Sequence, residues 1–189
     1  MIKNTVRQFT FSASLLLLSL PLIAQQEQKL SAEDILEIRQ LIDTYPRLLD
    51  FCVDNGHDYA NLFTEDATFG VSQFWDGPFK IWFRGREQLR RIGGGGDTEC
   101  VDRPSSGYHL NINPDIRANE EGAMSTSTLL TITNDTDSRG DVVHWEGGYL
   151  DHYRKTEDGW KFSSRVHVWN EVEWTDDPAD MPPRNLEEE

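Results

Sequence analysis

The 189-residue chain carries 33 acidic and 18 basic residues, and its formal net charge is −15. Hydrophobic residues make up 37% of it and aromatic residues 11%, which is enough to bury a core and excludes a wholly disordered chain. The acidity argues against nucleic acid or an anionic membrane as a partner, because basic patches bind both. The length fits one domain with tails.

Residues 1–24 have the features of a secretory signal peptide. Lys3 and Arg7 precede an apolar run, FSASLLLLSLPLIA, which ends at the small residue Ala24. A membrane anchor is the alternative, but the run is shorter than the roughly 20 residues that a spanning helix needs. We therefore expect a cleaved, periplasmic or secreted protein without a stable membrane anchor.

The two cysteines, Cys52 and Cys100, could form a disulfide in an oxidising compartment, but the sequence does not show whether they lie within bonding reach. Their spacing does not match a zinc site, and no His or carboxylate cluster has metal-ligand spacing. No metal site is predicted.

Helices are predicted first along the chain, after a short polar lead-in at 25–30. Ser31 is the expected N-cap of a helix, with Asp34 at the capping-box position. Apolar residues then recur at helical spacing up to Leu49, and Pro46 is expected to kink this helix or to start a new turn. Residues 54–56 suggest a turn, and 58–63 a short second helix.

Strands dominate the rest of the chain. We predict a strand at 67–74, a loop or hairpin at 76–83 and a short helix at 85–92. The glycine run 93–96 is expected to be a flexible loop over a pocket mouth. Four further strands are predicted at 107–119 (with a bend at Pro114), 123–133, 142–155 and 160–169. An acidic, loose tail is expected at 171–189. Helices followed by antiparallel strands indicate an α+β fold.

Several motifs in this order resemble the SnoaL-like group of the NTF2-like superfamily over residues 31–170. They are LIDTYPRLLD, HDYANLFTEDATF, RGREQLRRI, GYHLNINPDI and the closing hairpin WEGGYLDHYRKTEDGWKFSSRVHV, which is the most specific. The resemblance implies a cone-shaped α+β barrel, in which a curved antiparallel sheet wraps around the helices.

The resemblance also implies four catalytic positions. Asp50 near the end of the first long helix and His109 at the start of a strand match the shared Asp and His of the group's enzymes. Dehydratase-like members add a Tyr five residues before the Asp and an Arg in the last strand, which here are Tyr45 and Arg165.

Together these side chains suit β-elimination or a proton-transfer isomerisation without a metal or organic cofactor. His109 would act as general base, oriented by Asp50. Tyr45 could hydrogen-bond a leaving hydroxyl or an oxyanion, and Arg165 could hold anionic charge.

Each of the four has a structural alternative. Asp50 could cap a helix end, His109 could be a hydrogen-bonded wall residue and Tyr45 could belong to the core. Arg165 could pair with Asp151 or Glu171. A shift of the helix end would make Asp54 the substitute carboxylate.

Strand alternation adds a list of pocket residues. Asn111 should face the pocket with His109, and His167 should face it with Arg165. In the closing hairpin, Trp145, Tyr149, Asp151 and Tyr153 share one face, which by the resemblance lines the cavity. The alternative is that one of these faces is exposed to solvent or forms a dimer interface. A register error of one residue would exchange these faces.

The sequence thus predicts a secreted lyase or isomerase that acts on a small, apolar, hydroxylated or carbonyl substrate. The alternative is a non-catalytic module of the same fold that binds a small molecule or dimerises, in which Asp50 and His109 lie apart or the pocket is filled. By resemblance, the chain is expected to form a homodimer or homotrimer.

Overall fold

The computed structural model describes residues 29–97, 99–100, 107–135 and 140–169. The predicted signal peptide, most of the lead-in and the acidic tail lie outside these ranges. The described helices are α1 (Ala32–Phe51), α2 (His57–Ala60) and α3 (Gly85–Ile92), with a 3₁₀ turn at Val53–Gly56. The strands are β1 (Phe63–Ser72), β2 (Lys80–Arg84), β3 (Tyr108–Asn119), β4 (Gly122–Asp135), β5 (Gly140–Thr156) and β6 (Gly159–Val168). None of the described helices is long and apolar enough to cross a membrane.

The predicted capping box starts α1. The Ser31 hydroxyl accepts from the Asp34 backbone N–H at 3.1 Å, and the Asp34 carboxylate accepts from the Ser31 N–H at 3.0 Å. Asp34 also accepts a hydrogen bond from Trp160 Nε1 at 2.9 Å, which ties the start of α1 to the β5–β6 hairpin. The helix continues through Pro46 to Phe51, so the last turn keeps Asp50 helical.

The six strands form one mixed, curved sheet in the order β2-β1-β6-β5-β4-β3. The expected α+β fold is confirmed, but the sheet is not wholly antiparallel, because β1 and β6 run parallel. A parallel pair needs a long crossover, and here the chain between β1 and β6 supplies it. The inner face of the sheet, which we define by Leu129, Tyr149 and Phe162, shares one hydrophobic core with α1.

The first strand begins earlier than predicted. The expected helix at 58–63 is limited to α2, and Phe63 already pairs with Phe162 of β6. The Phe63 ring also packs against Tyr59 and Phe162, with centroid separations of 5.3 and 5.2 Å. These contacts with a segment far away in the chain place Phe63 in a strand. The local helical spacing of residues 58–63 contains no information about such contacts. The predicted loop or hairpin at 76–83 is a hairpin, in which β2 pairs with β1.

The glycine run is packed rather than a flexible loop. Gly93, Gly94 and Gly95 are buried. A Cβ at Gly93 would lie 2.6 Å from the Tyr59 Cβ, and one at Gly95 would lie 2.5 Å from the carbonyl oxygen of Asn55. A side chain at either position would clash with these atoms, so both positions require glycine.

A bulge in β5 overturns one predicted face. Leu130 pairs with Trp145 and Thr128 pairs with Gly148, so β5 carries one extra residue between these pairs. Gly147 in this bulge has a φ of +81°, which glycine adopts without strain. Tyr149 consequently lies on the inner face, whereas Trp145 lies on the opposite face with 50% of its surface exposed. The prediction that Trp145 lines a pocket with Tyr149 is wrong.

The two cysteines, whose pairing the sequence left open, form a disulfide. Their Cα atoms are 6.1 Å apart. The bond joins Cys52, the residue after α1, to Cys100, which precedes β3 in the chain.

Candidate active site

Asp50 and His109 form a hydrogen-bonded pair between the last turn of α1 and the second residue of β3. Asp50 Oδ1 lies 2.5 Å from His109 Nδ1, and Asp50 Oδ2 accepts from the His109 backbone N–H at 2.9 Å. The Asp50 side chain is 6% exposed and that of His109 is 28% exposed. Asp50, rather than Asp54 in the 3₁₀ turn, is the carboxylate that contacts the imidazole.

This geometry fixes the tautomer of His109. A carboxylate only accepts hydrogen bonds, so the proton in this bond is on His109 Nδ1, which donates it to Asp50. In the neutral ring, Nε2 then keeps its lone pair and can accept a proton. Because both Asp50 oxygens are engaged by one residue, neither the carboxylate nor the ring can rotate without losing a hydrogen bond.

Arg165 lies in a second, fully buried cluster. Its Nε and Nη2 each donate to the Asp151 carboxylate at 2.7 Å, and neither side chain is exposed. Tyr153 donates to the same carboxylate at 3.1 Å and shares a hydrogen bond of 2.7 Å with Ser125. Burial opposes the charge on Arg165, but Asp151 outweighs it and raises the pKa of Arg165 well above its usual value. Of the two alternative partners named for Arg165, the structure shows Asp151.

Tyr45 belongs to this buried cluster. The Arg165 guanidinium lies 3.7 Å from the centroid of its ring and 4.0 Å from that of Tyr149. The Tyr45 hydroxyl accepts from the Tyr59 hydroxyl at 3.2 Å, and Tyr45 is 1% exposed. Burial and the neighbouring Tyr45 raise the pKa of Tyr59 and of Tyr149 well above 10.0, so these phenols stay neutral.

His167 lies between the two clusters. It pairs with Tyr149 on the neighbouring strand, and its Nε2 lies 2.7 Å from the Glu146 carbonyl oxygen, to which it donates. Burial lowers the pKa of His167 below its usual 6.5, with smaller contributions from His109 and Arg165, although the hydrogen bond to the Glu146 carbonyl oxygen and the charge of Glu146 oppose this shift. A neutral imidazole therefore lies within the electrostatic reach of the Asp50–His109 pair.

The remaining predicted pocket residues share the inner face. Asn111 pairs with Leu129 of the inner face. The inner face of β5 consists of the buried side chains of Tyr149, Asp151 and Tyr153. Sequence reasoning missed Ser125 and Ser127, which pair with Asp151 and Tyr149. Alternation along 123–133 could have indicated both.

The four predicted catalytic side chains thus form two pairs, Asp50 with His109 and Tyr45 with Arg165. The first pair is partly accessible to solvent and the second is not. Within the described ranges, no group of three or more His, Cys, Asp or Glu side chains is placed to hold a metal ion.

Comparison with known proteins assigns the chain to a family. Residues 30–166 match the family model described as SnoaL-like domain. No curated protein matches the chain.

Three solved structures illustrate the fold. An NTF2-like protein from Novosphingobium aromaticivorans superposes with a TM-score of 0.54 and 17% identity over 75% of this chain and 84% of its own. A protein of unknown function with a cystatin-like fold from Nostoc punctiforme gives 0.53 and 23%, over 75% and 95%. ActVI-ORFA from Streptomyces coelicolor gives 0.52 and 19%, over 73% and 98%. At these identities the likeness concerns the fold. On the family match, which spans residues 30–166, the chain belongs to the SnoaL-like domain family.

Proposed function

We propose that this SnoaL-like protein is a periplasmic or secreted, cofactor-independent lyase or isomerase, in which His109 is the general base and Asp50 orients it. The observation that carries the proposal is the double hydrogen bond from His109 to the Asp50 carboxylate. It leaves Nε2 as the basic atom of a partly exposed ring. A carboxylate beside the ring also stabilises the imidazolium that proton transfer creates.

The elimination step balances without a cofactor. His109 Nε2 takes the proton from a carbon next to a substrate carbonyl, and the electron pair of that C–H bond moves into the carbonyl as an enolate. Return of this pair forms the C=C bond and breaks the C–O bond to the β-hydroxyl. The hydroxyl leaves with the proton that His109 gives back, so the products are water and a conjugated enone. Return of the proton to a different carbon would instead be an isomerisation.

The buried pair has a supporting role in this proposal. Arg165 donates through Nε and Nη2 to Asp151, and its guanidinium packs on the rings of Tyr45 and Tyr149, while its buried Nη1 has no hydrogen-bond partner among the described residues. It therefore holds Tyr149 beneath His167, with a ring separation of 5.3 Å between these two. Tyr45 and Arg165 act as positioning residues beneath the site.

The described surroundings favour a neutral substrate with an apolar ring. The rings of Tyr149, His167 and Trp169 lie in series, tilted by 42° and 31° to one another, with centroid separations of 5.3 and 5.0 Å. Arg165 and Asp151 neutralise each other, and the chain as a whole carries a net charge of −15. Aromatic side chains of this kind contact apolar rings through burial and through offset or edge-to-face contacts.

The test is a dehydration assay on 4-hydroxy-4-phenylbutan-2-one, a neutral β-hydroxy ketone whose product absorbs strongly in the near ultraviolet. In D₂O, NMR also reports hydrogen exchange at the carbon next to the carbonyl. We expect the His109→Gln and Asp50→Asn variants to lose roughly 10²- to 10⁴-fold of either rate. His57→Gln is the matched control, since His57 is exposed on α2, outside the inner face.

The same assay can reject the proposal. Exchange or dehydration that is equal in His109→Gln and wild type would exclude His109 as the base. Saturable binding of the ketone without exchange or turnover would instead favour a non-catalytic binding module of the same fold.

Secretion is part of the proposal and is tested separately. Expression of the full chain should give a mature protein in the periplasmic or extracellular fraction, and its N-terminal sequence should begin near Gln25. Recovery of the intact N-terminus in the membrane fraction would support an anchor instead.

A further inference from the structure

Two neighbouring polar side chains on the inner face lack hydrogen-bond partners within the described part of the chain. They are Asn111, through both its amide oxygen and its amide nitrogen, and Ser127, through its hydroxyl. These three atoms are themselves buried, and Ser127 is only 4% exposed. Polar atoms that are buried without a partner cost stability, and native proteins rarely keep them without a ligand, a water molecule or a functional reason.

The sheet register places these atoms beside the proposed base. His109 and Asn111 lie two residues apart on β3, so both face inward and their Cα atoms are about 7 Å apart. Asn111 pairs with Leu129, and Ser127 lies two residues further along β4, in the diagonal position. Diagonal neighbours are about 7–8 Å apart, so two inward side chains can converge on one small group.

We propose that Asn111 and Ser127 bind a hydroxyl group of the substrate. The inference deepens the proposed function by naming the substrate class, and rests on that function for the location of the reacting carbon. The Asn111 amide offers one acceptor and two donors, and the Ser127 hydroxyl offers both roles. A hydroxyl, which donates and accepts at once, satisfies both residues. An anion has no proton to donate to the Asn111 amide oxygen, so that buried acceptor would stay without a hydrogen bond.

The register also bears on the substrate. The Cα atoms of Asn111 and His109 are about 7 Å apart along β3 and both side chains face inward, so one small molecule can contact both. Together with the aromatic rings of Tyr149 and His167, this favours a neutral hydroxylated ring compound as the substrate class.

Binding of three matched probes tests the assignment without any turnover. The probes are 2-naphthol, 2-methoxynaphthalene and naphthalene-2-carboxylate, measured at neutral pH by calorimetry or ligand-observed NMR. We expect 2-naphthol to bind most tightly, because the methyl ether cannot donate and the carboxylate is charged. Ser127→Ala and Asn111→Leu should each weaken 2-naphthol binding by about 2- to 10-fold and leave the methyl ether nearly unchanged.

The matched control is Thr128→Ala, because Thr128 is adjacent to Ser127 on β4 and faces the opposite side of the sheet. It should keep the wild-type preference for 2-naphthol. Equal affinity of wild type for 2-naphthol and its ether, a preference that persists in both variants, or no saturable binding of 2-naphthol would each overturn the assignment.

Thermal stability without ligand gives a second readout. If a ligand is the missing partner, replacing these orphaned groups by apolar ones should leave the melting temperature unchanged or raise it. A lowered melting temperature in both variants, with unchanged probe binding, would mean that structural water or protein contacts satisfy these atoms, and would overturn the proposal.

Failure of this inference and failure of the proposed function give different results. Probe binding that depends on Ser127 and Asn111, with no effect of His109→Gln on exchange, would reject the general base and retain the hydroxyl site. Loss of exchange in His109→Gln, with no probe discrimination, would do the reverse.

Discussion

The buried ion pair of Arg165 and Asp151 gives the sharpest stability prediction. Replacing Asp151 by Leu removes the two charge-assisted hydrogen bonds of 2.7 Å from Arg165 and the 3.1 Å bond from Tyr153. It leaves a guanidinium with no exposed surface and no counter-charge. Two such bonds at roughly 1.5–3 kcal/mol each give about 3–6 kcal/mol, and breaking one partner of a buried pair typically costs about 3–5 kcal/mol. We expect Asp151→Leu to lower the free energy of unfolding by about 4 kcal/mol.

The assay is urea unfolding of wild type, both single variants and the double variant Asp151→Leu/Arg165→Met, followed by far-ultraviolet circular dichroism. The double variant should be more stable than either single one, because it leaves no unpaired buried charge. The control is Arg154→Met, which breaks the exposed 3.2 Å pair with Asp66 and should cost less than about 1 kcal/mol. A loss below about 1 kcal/mol in Asp151→Leu, or a double variant less stable than both singles, would refute the reasoning.

Three further predictions concern the surroundings of the site. Replacing Cys52 and Cys100 together by Ala should lower the unfolding free energy by about 4 kcal/mol, because the bond closes a loop with a sequence separation of 48; urea midpoints that stay unchanged would contradict this. Because the pKa of folded His167 lies below the ordinary 6.5, the unfolded chain binds the proton more readily, so stability is retained above pH 6.5 and declines as the pH falls below it. His167→Phe should therefore show less loss of stability between pH 7.5 and pH 5.5, and an identical loss in both proteins would contradict the prediction. Gly93→Ala should cost about 1–3 kcal/mol, since the new Cβ would lie 2.6 Å from the Tyr59 Cβ, and an unchanged melting temperature would count against it.

Local sequence patterns were sufficient for much of the fold. The capping box at Ser31 and the helical spacing that follows it predict α1, and the turn at 157–159 predicts the closing hairpin. The order of the motifs indicated the family, and with it the two segments that carry Asp50 and His109. The hydrogen bonds between these residues required the end of α1 and the start of β3 to meet, which the structure shows.

The sequence alone determined the family, the α+β class and the residue types available for the site. Tertiary structure decided which side chains face one another. The extra residue in β5 lies at Gly147, and neither its position nor its effect on Trp145 follows from alternation, because one inserted residue exchanges the faces of a strand. Phe63 likewise joins a strand because Phe162 pairs with it. Helix caps and turns depend on residues a few positions apart, whereas strand pairing and burial depend on residues far apart in the chain.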